Sequence, residues 1–193
     1  MKTKYREKIA PYLQDLSSRG PVGGGSAAAL TGTMAAALAL KALGYSAGKT
    51  AGRQKARLEA ARRHFIRIHK ILAAYVDKDA AFFAEYLREK NSRKKERLLK
   101  KSSQGVAEML QCCIDGVGSL GTCYAYVRKS LFSDIMISFL LFETAGDACA
   151  INLEINDKML KKSFAGLWQT RWKRAKRSRQ ETLHILRKEF DRG

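Results

Sequence analysis

Proline is nearly missing from this chain: Pro11 and Pro21 are the only two. Everything from Val22 onward therefore lacks the residue that most strongly breaks helices, and long helices are permitted along almost the whole length. Cysteine is scarce and scattered. Cys112, Cys113, Cys123 and Cys149 make no CxxC spacing, and His64, His69 and His184 form no HExxH or other paired-ligand pattern. Both absences argue against a metal site. Acidic residues are few: 18 Asp+Glu stand against 37 Lys+Arg, a formal charge of +19. That balance biases the surface field toward anions and leaves nucleic acid, a membrane surface and a polyanionic small molecule as partner classes.

Long apolar runs are missing too. Residues 27–43 are mostly alanine but contain Thr31, Gly32, Thr33 and Lys41, and residues 135–142 are far too few to span a bilayer. Both read as buried helix. The chain opens Met-Lys-Thr-Lys-Tyr-Arg without a following apolar segment, so the expectation is a cytoplasmic protein with reduced thiols. At 193 residues and 46% hydrophobic content, a single domain over 1–193 can bury its own core.

Apolar spacing divides the chain into helices. Tyr5, Ile9, Tyr12, Leu13 and Leu16 mark one face of a short helix over 4–16, followed by a Gly/Pro/Ser-rich loop over 17–26. From Ser26 to about Ala47, Ala28, Gly32 and Ala36 step by four, giving a helix face with almost no side-chain volume that a neighbour can approach closely. A helix from about Gly52 to Lys90 turns Leu58, Ala61, Phe65, Ile68, Leu72, Tyr75, Val76 and Phe83 inward. Residues 91–128 keep helical spacing despite Gly105, Gly116, Gly118 and Gly121, which predicts a kink or close packing there. Residues 131–155 are apolar nearly all round, as in a central helix covered by neighbours. A basic C-terminal helix over about 157–190 is amphipathic through Leu160, Phe164, Leu167, Trp168, Trp172, Leu183 and Leu186.

Three short stretches bear on chemistry. Gly23-Gly24-Gly25-Ser26 opens a helix, where amides unobstructed by side chains can meet an anion at the positive helix end; Ser26 as a plain N-cap is the alternative. Asp77 and Asp79 point about 200° apart on a helix, so at most one faces inward. Asp79 shares the apolar side with Leu72 and Phe83, as a general base or as a structural carboxylate bonded to another helix. Ser133-Asp134 starts the apolar helix, where an aspartate suits the dipole, and Asn152 near its end reads as a buried amide.

The order of these stretches resembles the cyclodeaminase/cyclohydrolase family of one-carbon folate enzymes, which includes formiminotetrahydrofolate cyclodeaminase and methenyltetrahydrofolate cyclohydrolase. Residues 17–32 carry a proline-then-GGGS-alanine signature; Asp77-Lys78-Asp79-Ala80-Ala81-Phe82-Phe83 is similar to the family's DxDxxxF stretch; Ser133-Asp134 and Ile151-Asn152-Leu153 match its Ser-Asp and Ile-Asn-Leu. Val22 stands where a second proline is usual, Ala148 stands where an asparagine is common, and no Leu-Pro-Lys follows the acidic helix. The resemblance implies an all-α, up-and-down bundle of five to six helices that pairs into homodimers. It also implies a reduced folate as substrate, carrying glutamate tails that suit the surplus of Lys and Arg, and no separate cofactor. Asp79 would transfer the proton, with Asp77 in reserve, and Gly23, Gly24, Gly25, Ser26, Ser133 and Asp134 would line the folate site. The alternative is a catalytically silent member of the family, a basic helical scaffold for RNA or an acidic protein. Attachment to a membrane surface through 157–190 is disfavoured because the cations run round that helix.

Overall fold

The computed structural model of the chain describes residues 4–161 and 164–191, and these form six α-helices and no strand. They are α1 (Tyr5–Ser17), α2 (Gly24–Ala47), α3 (Gly52–Arg88), α4 (Ser92–Cys123), α5 (Phe132–Leu160) and α6 (Ala165–Asp191), with two single 3-10 turns, Tyr124–Tyr126 and Lys129–Leu131, between α4 and α5. Lys162 and Arg192 of the basic segment, and the outermost residues of the 1–193 span, lie outside the described residues.

The alanine face of α2 organises the bundle. Ala28, Ala29, Ala35, Ala36, Ala39 and Ala42 are buried, so α3 and α5 both pack closely on it. They meet at Gly32, where an added Cβ would touch Leu72 Cδ1 at 3.0 Å and Ala145 Cβ at 3.5 Å. Ser138 Oγ donates to the Ala35 carbonyl at 2.8 Å across the same seam. α2 is long and apolar enough to cross a membrane by length and composition, but its small-residue face forms the centre of this core. The core is completed by Phe65, Phe139 and Phe142, fully buried, each contributing about 1.5–3 kcal/mol of apolar transfer.

The glycines of α4 produce close packing, not a kink. Gly116 leaves room for the Phe142 ring, whose Cζ would lie 2.7 Å from a Cβ there, and α4 runs unbroken through it. Elsewhere the structure departs from the spacing. α5 extends to Leu160, beyond the expected 155, and α6 begins at Ala165 instead of 157. Lys161 closes α5 in the left-handed region (φ 51°). The buried Asp157 then accepts the Phe164 and Ala165 N–H groups at 2.6 Å each, capping α6 from the preceding helix. Asp157→Ala should lower unfolding free energy by about 2–3 kcal/mol. Urea titration monitored at the α6 tryptophans would show it, and an unshifted midpoint would show that the cap is idle.

Two surfaces are less covered than their sequences suggest. α1 buries none of its residues, and Tyr5, Ile9 and Leu13 are exposed; half-buried Tyr12 ties it inward, through its hydroxyl and Ser26 Oγ at 3.2 Å. α5 is packed by α2, α4 and α6, yet Ile137, Leu140, Ile151 and Ile155 are exposed. Its apolar character all round is thus matched by neighbours on three sides, leaving one apolar stripe open.

Candidate functional site

Alternation of helix direction brings four helix ends together: the starts of α2 and α4 and the ends of α3 and α5. The starting turn of α2 is bare. Gly23 is extended (φ −150°, ψ −154°) and no side chain caps the helix. Ser26 is therefore not the N-cap. Its hydroxyl is buried and donates to the Val76 carbonyl at 2.7 Å, fastening α2 to α3. Its backbone N–H instead donates to the carboxylate of Asp79.

Asp79 is pressed against this corner. A Cβ on Gly25 would stand 2.5 Å from Asp79 Cγ, so only a glycine admits the carboxylate there. Burial pushes the Asp79 carboxyl above its ordinary value of 3.8, and the Ser26 N–H partly opposes that rise. No cation pairs with it among the described residues. A half-buried carboxylate with one backbone donor and no counter-charge is suited to taking and returning a proton, and to stabilising a cation placed beside it. Asp77 faces outward and is exposed, consistent with the angular offset between the two aspartates.

The carboxylate opens into a cavity of about 260 Å³, the size of a ring system more than of a long flexible ligand. Its walls are apolar: Phe82, Phe83 and Tyr86 of α3, Leu98, Leu99 and Val106 of α4, and Ile155 and Met159 of α5. Phe83, expected to point into the core, is 46% exposed and lies at this cavity instead. Polar groups reach in from four helices: the Gly23–Gly25 backbone at the start of α2, Asp79 of α3, Ser102 of α4, and Asn152 and Asn156 of α5. Asn152 Oδ1 comes within 3.8 Å of where a Gly24 Cβ would be. Lysines cover the outer faces of the aromatic wall, Lys101 Nζ 5.0 Å from the Phe82 ring centre and Lys95 Nζ 5.1 Å from that of Tyr86.

The sequence-predicted residues separate into two groups. Gly23, Gly24, Gly25 and Asp79 converge on the cavity, with Ser26 contributing through its backbone. Ser133 and Asp134 do not. They stand at the opposite end of α5, roughly 27 Å along the helix from Asn152; Ser133 is exposed, and Asp134 pairs with Lys41 Nζ at 2.9 Å. Within one copy of the chain Asp134 ties the far ends of α2 and α5 together. Asn152, expected as a satisfied core amide, is a cavity residue. Asn156 and Ser102 stand in no motif that marks them in the sequence, although Asn156 follows Asn152 by one helical turn, the spacing that puts two amides on one face. Among the described residues no group of three or more His, Cys, Asp or Glu is arranged to hold a metal ion.

No curated protein matches the chain. Its fold is similar to that in the crystal structure of formiminotetrahydrofolate cyclodeaminase from Thermotoga maritima at 2.80 Å resolution, with a TM-score of 0.73 and 19% identity over 95% of this chain and 92% of that one. Residues 8–170 match the profile described as Formiminotransferase-cyclodeaminase. With that match extending over most of its 193 residues, the chain belongs to the formiminotransferase-cyclodeaminase family.

Proposed function

We propose that the chain is a one-carbon folate enzyme of cyclodeaminase or cyclohydrolase type, working in the cytoplasm, with Asp79 as its proton-transfer group. The observation that carries this is the meeting of the Asp79 carboxylate and the triple-glycine corner in one apolar cavity of ring-system size. In ring closure of a formimino-folate, Asp79 takes the proton from the attacking aryl-amine nitrogen, which lies outside the pterin ring, and returns it to the departing formimino nitrogen, which leaves as ammonia. In hydrolysis of a methenyl bridge, it takes the proton from the attacking water. In both, its negative charge stands beside the cationic methenyl form. Asn152, Asn156 and Ser102 supply hydrogen bonds to the edge of the ring, and Phe82, Phe83 and Tyr86 its faces.

A glutamate tail has an exit. A second hollow shares Tyr86, Leu99 and Met159 with the first and adds Lys95 and Lys161, cations placed where carboxylates would leave the cavity. Assays of ammonia release from formiminotetrahydrofolate and of methenyltetrahydrofolate hydrolysis decide between the two reactions; failure to bind or convert either folate removes the proposal.

The same reading makes the protein a homodimer. The open face with Ile137 and Leu140 near one end of α5 and Ile151 and Ile155 near the other is the surface for it, since a soluble monomer rarely leaves so many large apolar side chains along one helix face in water. Sedimentation should show a dimer for the wild type and a monomer for Leu140→Arg/Ile151→Arg. A monomeric wild type at micromolar concentration would refute it.

A further inference from the structure

We propose that Tyr12 is a positioning residue for Asp79, acting on it through the Ser26 hydroxyl; this rests on the reading of Asp79 as the proton-transfer group. The Tyr12 hydroxyl lies 3.2 Å from Ser26 Oγ, and the count of hydrogens fixes the direction of that bond. Ser26 carries one hydroxyl hydrogen and donates it to the Val76 carbonyl at 2.7 Å. Its oxygen can then only accept, so the Tyr12 O–H is the donor. A chain of two bonds therefore runs from α1 through α2 to α3, and each bond polarises the next. Val76 stands in the turn of α3 that leads to Asp79, while the backbone N–H of the same Ser26 donates to the Asp79 carboxylate. One residue thus holds α3 at two points, and Tyr12 holds that residue from behind.

The bulk of the fold does not call for this bond. α1 buries none of its residues, so it adds little to the core, and Tyr12 itself does not line the cavity. The stretch between Tyr12 and Ser26 does, through Pro21, Gly23, Gly24 and Gly25. Fastening Tyr12 to Ser26 closes a loop over residues 12–26 and restrains a run of glycines whose backbone is otherwise the freest in the chain. The fit at that corner has little slack, since a Cβ on Gly25 would stand 2.5 Å from Asp79 Cγ. Loss of the tie lets the Ser26 N–H drift from the carboxylate. That N–H holds the carboxyl lower than burial by itself would set it. Asp79 and Tyr86 are the titratable residues that line the cavity, both from α3; the loop, α2, α4 and α5 contribute none. Lys95 and Lys101 of α4 face the rings of Tyr86 and Phe82. A change in the titration of this carboxyl therefore reports the position of the N–H.

Tyr12→Phe keeps the ring and removes the donor. Expected are a fall in kcat of about three- to tenfold, the worth of one net hydrogen bond, an unchanged KM, and an acidic limb of kcat/KM moved to higher pH. The same movement should appear without substrate, in the titration of the Asp79 carboxyl carbon followed by NMR and assigned by its disappearance in Asp79→Asn. Tyr12→Phe should melt with the wild type. Tyr5→Phe, on the same helix and 69% exposed, should match the wild type in every measurement. In the Ser26→Ala background Tyr12→Phe should have no further effect, because the chain of bonds is already cut. A wild type that turns over no folate removes the folate reading, and the substrate-free titration then decides by itself whether Tyr12 sets the carboxylate. Tyr12→Phe that turns over folate or titrates like the wild type, losses that add in the double variant, or a lowered melt with the titration unmoved would each overturn the proposal.

Discussion

Asp79→Asn is expected to reduce turnover of the folate substrate by roughly 10²–10⁴-fold, the usual contribution of a positioned acid–base group, while the protein folds at least as well as the wild type. The second half follows from the carboxyl's raised value. A raised acid holds its proton more tightly in the folded chain than in the unfolded one. At pH below 3.8 both states are protonated and no difference arises. As pH rises above 3.8, the unfolded chain ionises first, and stability falls until the folded carboxyl has ionised too; from there to neutrality the cost is constant. Asparagine carries no such cost and still accepts the Ser26 N–H. The melting temperature of Asp79→Asn should therefore equal or exceed that of the wild type at neutral pH, and the gap should close on acidification. In the wild type the acidic limb of kcat/KM should turn above 3.8, because the base must be ionised to act. Calorimetry and a pH–rate profile check both halves. A variant that keeps its turnover would remove Asp79 from the chemistry, and one that unfolds at neutral pH would make it a structural carboxylate.

Gly25→Ala should be nearly as damaging, by geometry alone. The new methyl group would stand 2.5 Å from Asp79 Cγ and displace the carboxylate from the Ser26 N–H. A shift of about 1 Å in a reacting group costs on the order of 10²-fold in rate, and overpacking the corner costs about 1–3 kcal/mol of stability. The matching control is Gly23→Ala, where nothing lies within 4 Å of the added atom and the fold should be untouched. Because Gly25 and Asp79 act as one unit, Gly25→Ala/Asp79→Asn should be little slower than Asp79→Asn alone. Steady-state kinetics on the four proteins measures this, and fully additive losses would mean that the two positions work separately.

Much of this was legible in the chain because it depends on neighbours in sequence. Helical spacing, the near absence of proline and the alanine row of α2 are local patterns, and they suffice for six helices and for the close approach of α3 and α5 to Gly32. The opposite orientations of Asp77 and Asp79 follow from helix geometry. What failed were inferences about which apolar residue has a partner. Phe83, Phe164 and Leu167 carry the same signal as Phe65, but whether a neighbour covers them depends on where other helices end. The start of α6 is hidden from the spacing for a related reason, since Asp157 caps it from the end of α5 across Lys161.

The site divides along the same line. Sequence alone determined its chemical groups: the glycines that leave backbone amides bare, the inward aspartate, and the Ile-Asn-Leu turn. Only the tertiary structure decided which of them meet. The alternating directions of α2, α3, α4 and α5 bring Asp79, Gly25, Ser102 and Asn152 to one end, while carrying Ser133 and Asp134 to the other. Hydrogen bonds within a helix set the angle at which each side chain leaves its axis. The distance between helices is set by packing of side chains far apart in the chain, and no local spacing encodes that.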